Sequence, residues 1–214
     1  MEIVKQDNQL ANSNCYIVTD WYSKSCIIID PASEKAEKEI AYIDVNGLKL
    51  DYIILTHGHA DHCWGVNALR EAYPELKLIY TEACKLKMKR EIRLFFQLYS
   101  PIPGYHYEME PAEIQIKGNN ETIDWHHHQV EFILTPGHSP GSMCINIEGN
   151  LFTGDTMMPY PPYFNGRGSS KEDWDRSVKT ITDRFSPNTM IYPGHGAIIT
   201  LGEWKNNKEY SKHK

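Results

Sequence analysis

The run Thr56-His57-Gly58-His59-Ala60-Asp61-His62 gathers three imidazoles and a carboxylate within six residues. In extended chain, residues two apart point to the same side, so His57 and His59 share one side. Asp61 and His62 follow at once and can reach from the turn towards a second point nearby. Nitrogen and oxygen donors of this kind form a first-row metal site with no thiolate required. A single His-x-His pair would be explained as well by surface or helix-capping histidines. Two further histidines argue otherwise, in Thr135-Pro-Gly-His138-Ser-Pro-Gly141 and Tyr192-Pro-Gly-His195-Gly196. In each, a β-like run ends in Pro-Gly and presents a histidine from a turn. Leu151-Phe-Thr-Gly-Asp155-Thr156 places a carboxylate just after a strand. A carboxylate can bridge two cations and an imidazole cannot. The arithmetic is that of a two-metal site: three histidines on one ion, Asp61 with two histidines on the other, and Asp155 between.

The elements that position these groups are read from periodicity. Asn14–Thr19 and Ser25–Asp30 are short β-rich runs around a turn at 20–24. Ser33 is expected to cap a helix through about Tyr42, with Glu34 and Glu37 in its first turns. Asp51–Leu55 is a buried strand running straight into the histidine turn. Helix is expected at 67–71, strand at 76–80, and a longer amphipathic helix from Glu82 to about Tyr99, ended by Pro101, Pro103 and Gly104. About 101–124 is expected to be irregular and aromatic. Strands resume at 113–116, 130–134, 143–147 and 151–153, a helix at about 171–184, a strand near 190–192, and a helical tail. No Ser/Gly/Pro-rich linker and no fixed-period repeat divides the chain, so residues 1–214 are read as one domain. Strands with interspersed helices in each half, without strict βαβ alternation, suit two sheets with helices outside them.

Composition narrows the function classes. The chain has 214 residues and a formal charge of −6, from 22 Lys and Arg against 28 Asp and Glu. An acidic balance argues against a nucleic-acid partner, which needs clustered cations. The basic stretch Lys85–Arg90 reads as a solvated helix face. No apolar run approaches the roughly 18 residues of a membrane span. The N-terminal MEIVKQDNQL lacks a basic region followed by an apolar stretch, so no secretory signal is expected. The five cysteines are scattered without a CxxC pair, which suits reduced thiols in a cytoplasmic protein.

The motifs THGHADH, TPGHSPGS, LFTGDT and YPGHG together resemble the metallo-β-lactamase superfamily, over residues from about 14 to 204. The resemblance implies an α/β fold: a four-layer αβ/βα sandwich of two mixed sheets flanked by helices, with metals at one edge. It implies that His57, His59 and His138 bind one metal, that Asp61, His62 and His195 bind a second, and that Asp155 bridges. Within the superfamily the chain is most similar to glyoxalase II-like (hydroxyacylglutathione hydrolase-like) enzymes. Asn14-Cys-Tyr, Gly166-Arg167, and Pro193-Gly-His-Gly196 followed by Thr200-Leu-Gly-Glu203 carry that likeness. The implied cofactors are two divalent ions, zinc first, with iron or manganese suited to the same donors.

The expected chemistry is hydrolysis of a thioester, ester or lactone by a bridging hydroxide, with Asp61 orienting the water or accepting its proton. Asp30, Thr56 and Thr153 are candidates to receive the outer N–H of ligand histidines. Cys63 is read as a buried thiol, since a thiolate there would compete for metal. His126–His128 are read as an alternating strand segment without a metal role, His126 and His128 sharing a face. Tyr160, Tyr163 and Arg167 are candidates to line a substrate pocket, and Phe95, Phe96, Tyr99, Tyr105 and Tyr107 could add aromatic walls. Gly168-Ser-Ser follows Gly166-Arg167 where the family pattern brings an Asp, and Cys63-Trp64 replaces small residues. The C-terminal region that contacts glutathione in the family is not expected here, so the expected substrate is a small molecule of those classes and not glutathione-bound in particular. Two alternatives stay open on the sequence: a mononuclear iron persulfide dioxygenase, and a phosphodiesterase or nuclease of the same fold. Nothing in the sequence speaks to oligomeric state.

Overall fold

The computed structural model describes residues 1–8, 11–84, 107–160, 162, 164 and 168–207. The chain divides into two compact units, Met1–Gln115 and Ile116–Lys214. Among the described residues, no helix is long and apolar enough to cross a membrane.

In the first unit, a six-stranded sheet runs in the order β1 (Glu2–Asp7), β2 (Asn14–Asp20), β3 (Ser25–Ile29), β4 (Lys49–Ile54), β5 (Lys77–Thr81) and β6 (Ile114–Ile116). The first two pairings are antiparallel, and β3–β4 and β4–β5 are parallel. Every residue of β2 and β3 is buried, the pattern of strands covered on both faces. Parallel neighbours need long crossovers. Here α1 (Glu37–Asn46) connects β3 to β4, while α2 (Ala60–Cys63) and α3 (Val66–Ala72) lie between β4 and β5. The apolar faces of Ile17, Ile28, Ile53, Leu78, Ile43 and Leu69 meet in one core.

Helix α1 begins later than its sequence suggests. Ser33 does not cap it: the Ser33 carbonyl accepts the Ala36 N–H in a turn, Ala36 takes a left-handed conformation at φ 47°, and the helix starts at Glu37. A Ser followed by acidic residues resembles a cap, but the chain first makes this extra turn. It brings Glu39 into the core at 1 % exposure. Burial pushes the Glu39 carboxyl above its ordinary value, against the smaller pull of its own backbone N–H and the Cys15 thiol. A carboxyl raised by folding contributes stability at low pH that is lost as pH climbs from the unfolded value through the folded one. Glu39→Gln is therefore expected to leave the melting temperature unchanged near pH 4 and to raise it at pH 8, by on the order of a few °C. Equal shifts at both pH values in thermal melts would contradict this.

In the second unit, the sheet runs β7 (Glu121–Trp125), β8 (His128–Leu134), β9 (Met143–Ile147), β10 (Asn150–Gly154), β11 (Met190–Pro193) and β12 (Ile199–Thr200). All pairings are antiparallel except the parallel β10–β11, which are connected through α4 (Lys171–Arg184). Both sheets are thus mixed and carry helices, as expected. Ser170 caps α4, accepting the Asp173 N–H at 3.2 Å. Its apolar stripe places Trp174 and Ile181 against Ile133, Leu151 and Ile191. Arg184 makes a two-pronged bond to Glu131 of β8 at 2.6 and 2.7 Å. A short helix α5 (Leu201–Asn206) opens on a capping box formed by Thr200 and Glu203.

Two expectations need correction here. Residues 121–125 are a strand, not irregular chain. His126–His128 is not a continuous strand: Trp125 pairs with His128, and His126, at φ 54°, turns the hairpin with His127. His128 Nδ1 lies 2.6 Å from Glu148. The helix expected over 82–99 is described only at 82–84, and its remainder, with Lys85–Arg90, Phe95, Phe96, Tyr99 and Tyr105, lies outside the described residues.

Candidate metal centre

In the first unit, β4 delivers the chain to the histidine turn. Leu55 N–H still bonds the Ile79 carbonyl, and then the chain leaves the sheet. His57 and His62 are buried, with ring centroids 4.2 Å apart. His59, extended at the start of α2, meets His57 edge-on at 4.6 Å. Asp61 stands in the first turn of α2, and its Oδ2 lies 3.9 Å from His62 Nε2.

Asp30 organises this cluster. It sits just past β3 in a left-handed conformation at φ 55°, which Asp tolerates better than most residues. Its Oδ1 accepts the Thr56 N–H at 2.8 Å, and its Oδ2 accepts the Thr56 hydroxyl at 2.6 Å. His62 Nδ1 approaches the same Oδ2 at 2.9 Å. We assign His62 as protonated at Nδ1, which leaves the Nε2 lone pair for a metal. Because Thr56 spends its proton on Asp30, its oxygen is left to accept from His57 Nδ1, 3.1 Å away. His57 is thereby assigned with Nε2 unprotonated as well. One carboxylate orients two imidazoles, one directly and one through a hydroxyl.

A further clamp has no signature in the sequence. The Ser13 hydroxyl donates a short bond to the Asp61 carbonyl. Asn8 in turn donates to Ser13 Oγ at 2.9 Å and to the Asp30 carbonyl at 3.0 Å, and accepts the Ala32 N–H at 2.8 Å. Asn8 and Ser13 are both buried. Apart from each other, their partners stand 22 to 48 residues along the chain, so no local pattern announces them.

In the second unit, Asp155 follows β10, with its side chain 8 % exposed. Its two oxygens face different imidazoles: Oδ2 lies 3.3 Å from His138 Nε2, and Oδ1 lies 3.7 Å from His195 Nε2. The turns carrying these ligands are tied to one another. Gly194 N–H donates to the Gly154 carbonyl at 2.8 Å, and the hydroxyls of Thr135 and Thr156 meet at 2.9 Å. Gly137, at φ 148°, precedes His138, and a Cβ there would stand 2.4 Å from Trp174 Cα. Gly137→Ala is expected to cost about 2–4 kcal/mol, by backbone strain and overpacking against a helix that cannot retreat. A urea midpoint equal to the parent's would refute that contact.

The donor chemistry fits a metal. Two nitrogens bound tetrahedrally at about 2.0–2.1 Å stand ~3.3 Å apart. His57 Nε2 and His59 Nδ1 are 3.0 Å apart, and His138 Nε2 and Asp155 Oδ2 are 3.3 Å apart. Imidazole and carboxylate donors suit zinc, iron and manganese alike.

The other candidates fall as follows. Thr153 gives its hydroxyl to the Met157 carbonyl at 2.7 Å and not to a ligand histidine, because it points along its own turn. Cys63 is fully buried in the first unit's core, and burial pushes its thiol well above the ordinary value, so it is no nucleophile. Tyr107 donates to the Cys63 carbonyl at 2.7 Å. Tyr160 is 43 % exposed. Tyr163 and Arg167 lie outside the described residues.

Comparison with known proteins bears on the family and the fold. The chain is 30% identical over 195 residues to the "Probable polyketide biosynthesis zinc-dependent hydrolase BaeB" of Bacillus velezensis, covering 90% of this chain and 76% of that protein. It is 31% identical over 184 residues to a hydroxyacylglutathione hydrolase of Aeromonas hydrophila, covering 84% of this chain but 60% of that one. The crystal structure of BLEG-1 B3 metallo-beta-lactamase superposes with a TM-score of 0.86 over 99% of this chain and all of the other, at 22% identity, and so shares the fold. A family model, the metallo-beta-lactamase superfamily, matches residues 9–195, and the chain belongs to that superfamily.

Proposed function

We propose that this chain is a dinuclear metal-dependent hydrolase acting on a thioester, ester or lactone. His57, His59 and His138 would hold one ion, Asp61, His62 and His195 the other, with Asp155 bridging. The observation that carries this reading is the pair of Asp155 oxygens turned to different imidazoles, at 3.3 and 3.7 Å. A carboxylate so placed offers one oxygen beside each imidazole, the arrangement a bridging ligand requires. Zinc is the metal we favour, supported by the imidazole and carboxylate donors and by the zinc-dependent hydrolase among the relatives. Such ions, when bound, supply the Lewis acidity that brings water's pKa near neutrality.

The protein's own groups then do the following. Asp61 orients the attacking water and takes its proton on a carboxylate oxygen. In a thioester the new bond is carbonyl carbon to water oxygen, and the bond that breaks is carbon to sulfur. The proton from Asp61 passes to the leaving thiolate, so acid and thiol are the products. Asp30 and Thr56 hold His62 and His57 with Nε2 aimed away from them, and a fixed ligand frame lowers reorganisation as charge develops on the carbonyl oxygen. We place the enzyme in the cytoplasm, a reading supported by its five free, buried cysteines.

The zinc-loaded protein should be assayed against panels of acyl-thioesters, lactones, phosphodiesters and persulfides, with oxygen uptake recorded. Turnover of a thioester, ester or lactone without oxygen consumption is expected. Oxygen uptake with a persulfide, or phosphodiester cleavage alone, would overturn the reading.

A further inference from the structure

We propose that Trp174 is a positioning residue that sets the Asp155 turn and the His138 turn relative to each other. The inference rests on the metal-centre reading above. Three consecutive carbonyls after Asp155 each accept from a buried side chain of the second unit. Thr156 accepts from the Trp174 indole at 2.6 Å, Met157 from the Thr153 hydroxyl at 2.7 Å, and Met158 from the Trp204 indole at 3.0 Å. A buried indole N–H must find a partner, and here two of them are spent on one short turn. The turn that carries Asp155 is therefore held by its backbone and not by side-chain packing alone.

Trp174 differs from the other two donors because it also touches the opposite ligand turn. Its backbone occupies the space that a side chain at residue 137 would need. The helix around it grips the same dipeptide: Ser170 N–H donates to the Gly137 carbonyl at 2.8 Å and Ser177 to the Pro136 carbonyl at 2.7 Å. His138 follows immediately. One residue thus seats the His138 turn with its main chain and the Asp155 turn with its indole, and the atoms so placed are His138 Nε2 and Asp155 Oδ2, 3.3 Å apart. Among the described residues, the Trp204 indole by contrast donates to Met158 alone, and it meets Trp174 edge-on at 6.4 Å in the same core.

That pairing supplies its own control. Trp174→Phe and Trp204→Phe each delete one indole N–H from a buried carbonyl in one core, so their costs to folding should be similar. Both variants and the parent should be loaded with cobalt(II). Affinity by chelator competition, the visible spectrum, and kcat and KM are then measured. Trp174→Phe is expected to weaken metal binding about tenfold or more, to alter the cobalt spectrum, and to lower kcat with KM nearly unchanged. Trp204→Phe is expected to stay within about twofold of the parent in affinity at a comparable urea midpoint. Equal effects of the two substitutions, or none from Trp174→Phe, would overturn the proposal alone. A parent chain that takes up no metal would overturn the metal-centre reading with it. If Trp174→Phe yields no folded protein, Ser177→Ala takes its place, with weakened affinity expected and unchanged affinity contradicting.

Discussion

Asp61→Asn is expected to lower kcat by about 10²–10⁴-fold while leaving the fold intact. The substitution keeps shape but removes the group that accepts the water proton and the carboxylate charge offered to the second ion. Folding should hardly notice, because the Ser13 hydroxyl grips the Asp61 backbone carbonyl and not its side chain. The side chain is 16 % exposed, and its Oδ2 lies 3.9 Å from the buried His62 Nε2, a separation at which the neutral amide is tolerated. Stability should move by roughly 0.5 kcal/mol or less, the range for changes away from the core. Full activity in the Asn variant, at matched metal content, would refute the role given to Asp61.

Asp30→Asn should act in the opposite manner, through stability and metal affinity together. Asp30 receives three donors: the Thr56 N–H, the Thr56 hydroxyl and His62 Nδ1–H. An amide offers one acceptor oxygen and turns two N–H groups towards the rest, so the Thr56 hydroxyl and the imidazole face a donor. Each buried donor left unmatched costs about 1–3 kcal/mol. A loss of about 2–5 kcal/mol in urea unfolding is expected on that basis. Metal affinity should fall roughly 10–100-fold, since both His62 and, through Thr56, His57 lose their orientation. A variant as stable as the parent, with parental affinity, would show that Asp30 does not organise the cluster.

The two substitutions divide the account cleanly. One removes a reacting group that is also a proposed donor, and the other loosens the frame around unchanged donors. A kcat loss that persists at matched metal content marks the first, and a joint loss of stability and metal affinity marks the second.

Much of this architecture was legible in the chain because the candidate ligands sit where patterns end. His57, His138 and His195 each follow a β-rich run, and the last two are announced by Pro-Gly. Helix α4 was readable for the same local reason: a Ser cap, acidic residues in the first turn and an apolar stripe agree with one another. Where local signals conflicted, the sequence misled. Ser33 with its following acids imitates a cap, yet the left-handed turn at Ala36 delays the helix to Glu37. Strand β7 hid because Glu121–Trp125 is short and only partly buried, and because the two-residue turn at His126-His127 merges with it. Strand β1 hid likewise, an edge strand with most residues at least partly exposed.

What the chain could not announce is the support behind the ligands. Ser13 and Asp30 meet the Asp61 turn, and Asn8 meets Asp30, through contacts spanning tens of residues, and a hydroxyl in a polar loop looks the same whether it faces water or a carbonyl. Trp174 reads from its spacing as one more apolar residue on a helix stripe. Only its indole, aimed at the Thr156 carbonyl, distinguishes it. The candidate ligands are written in short motifs, and their placement is written in tertiary hydrogen bonds.

The central claim is that seven donors serve two ions. The most direct measurement is metal content per chain by elemental mass spectrometry, after loading with zinc and exhaustive dialysis, for the parent and for Asp155→Asn. The account predicts two ions per parent chain and at most one in the variant, because the bridging carboxylate is gone. One ion or none in the parent, or two retained in Asp155→Asn, would contradict it.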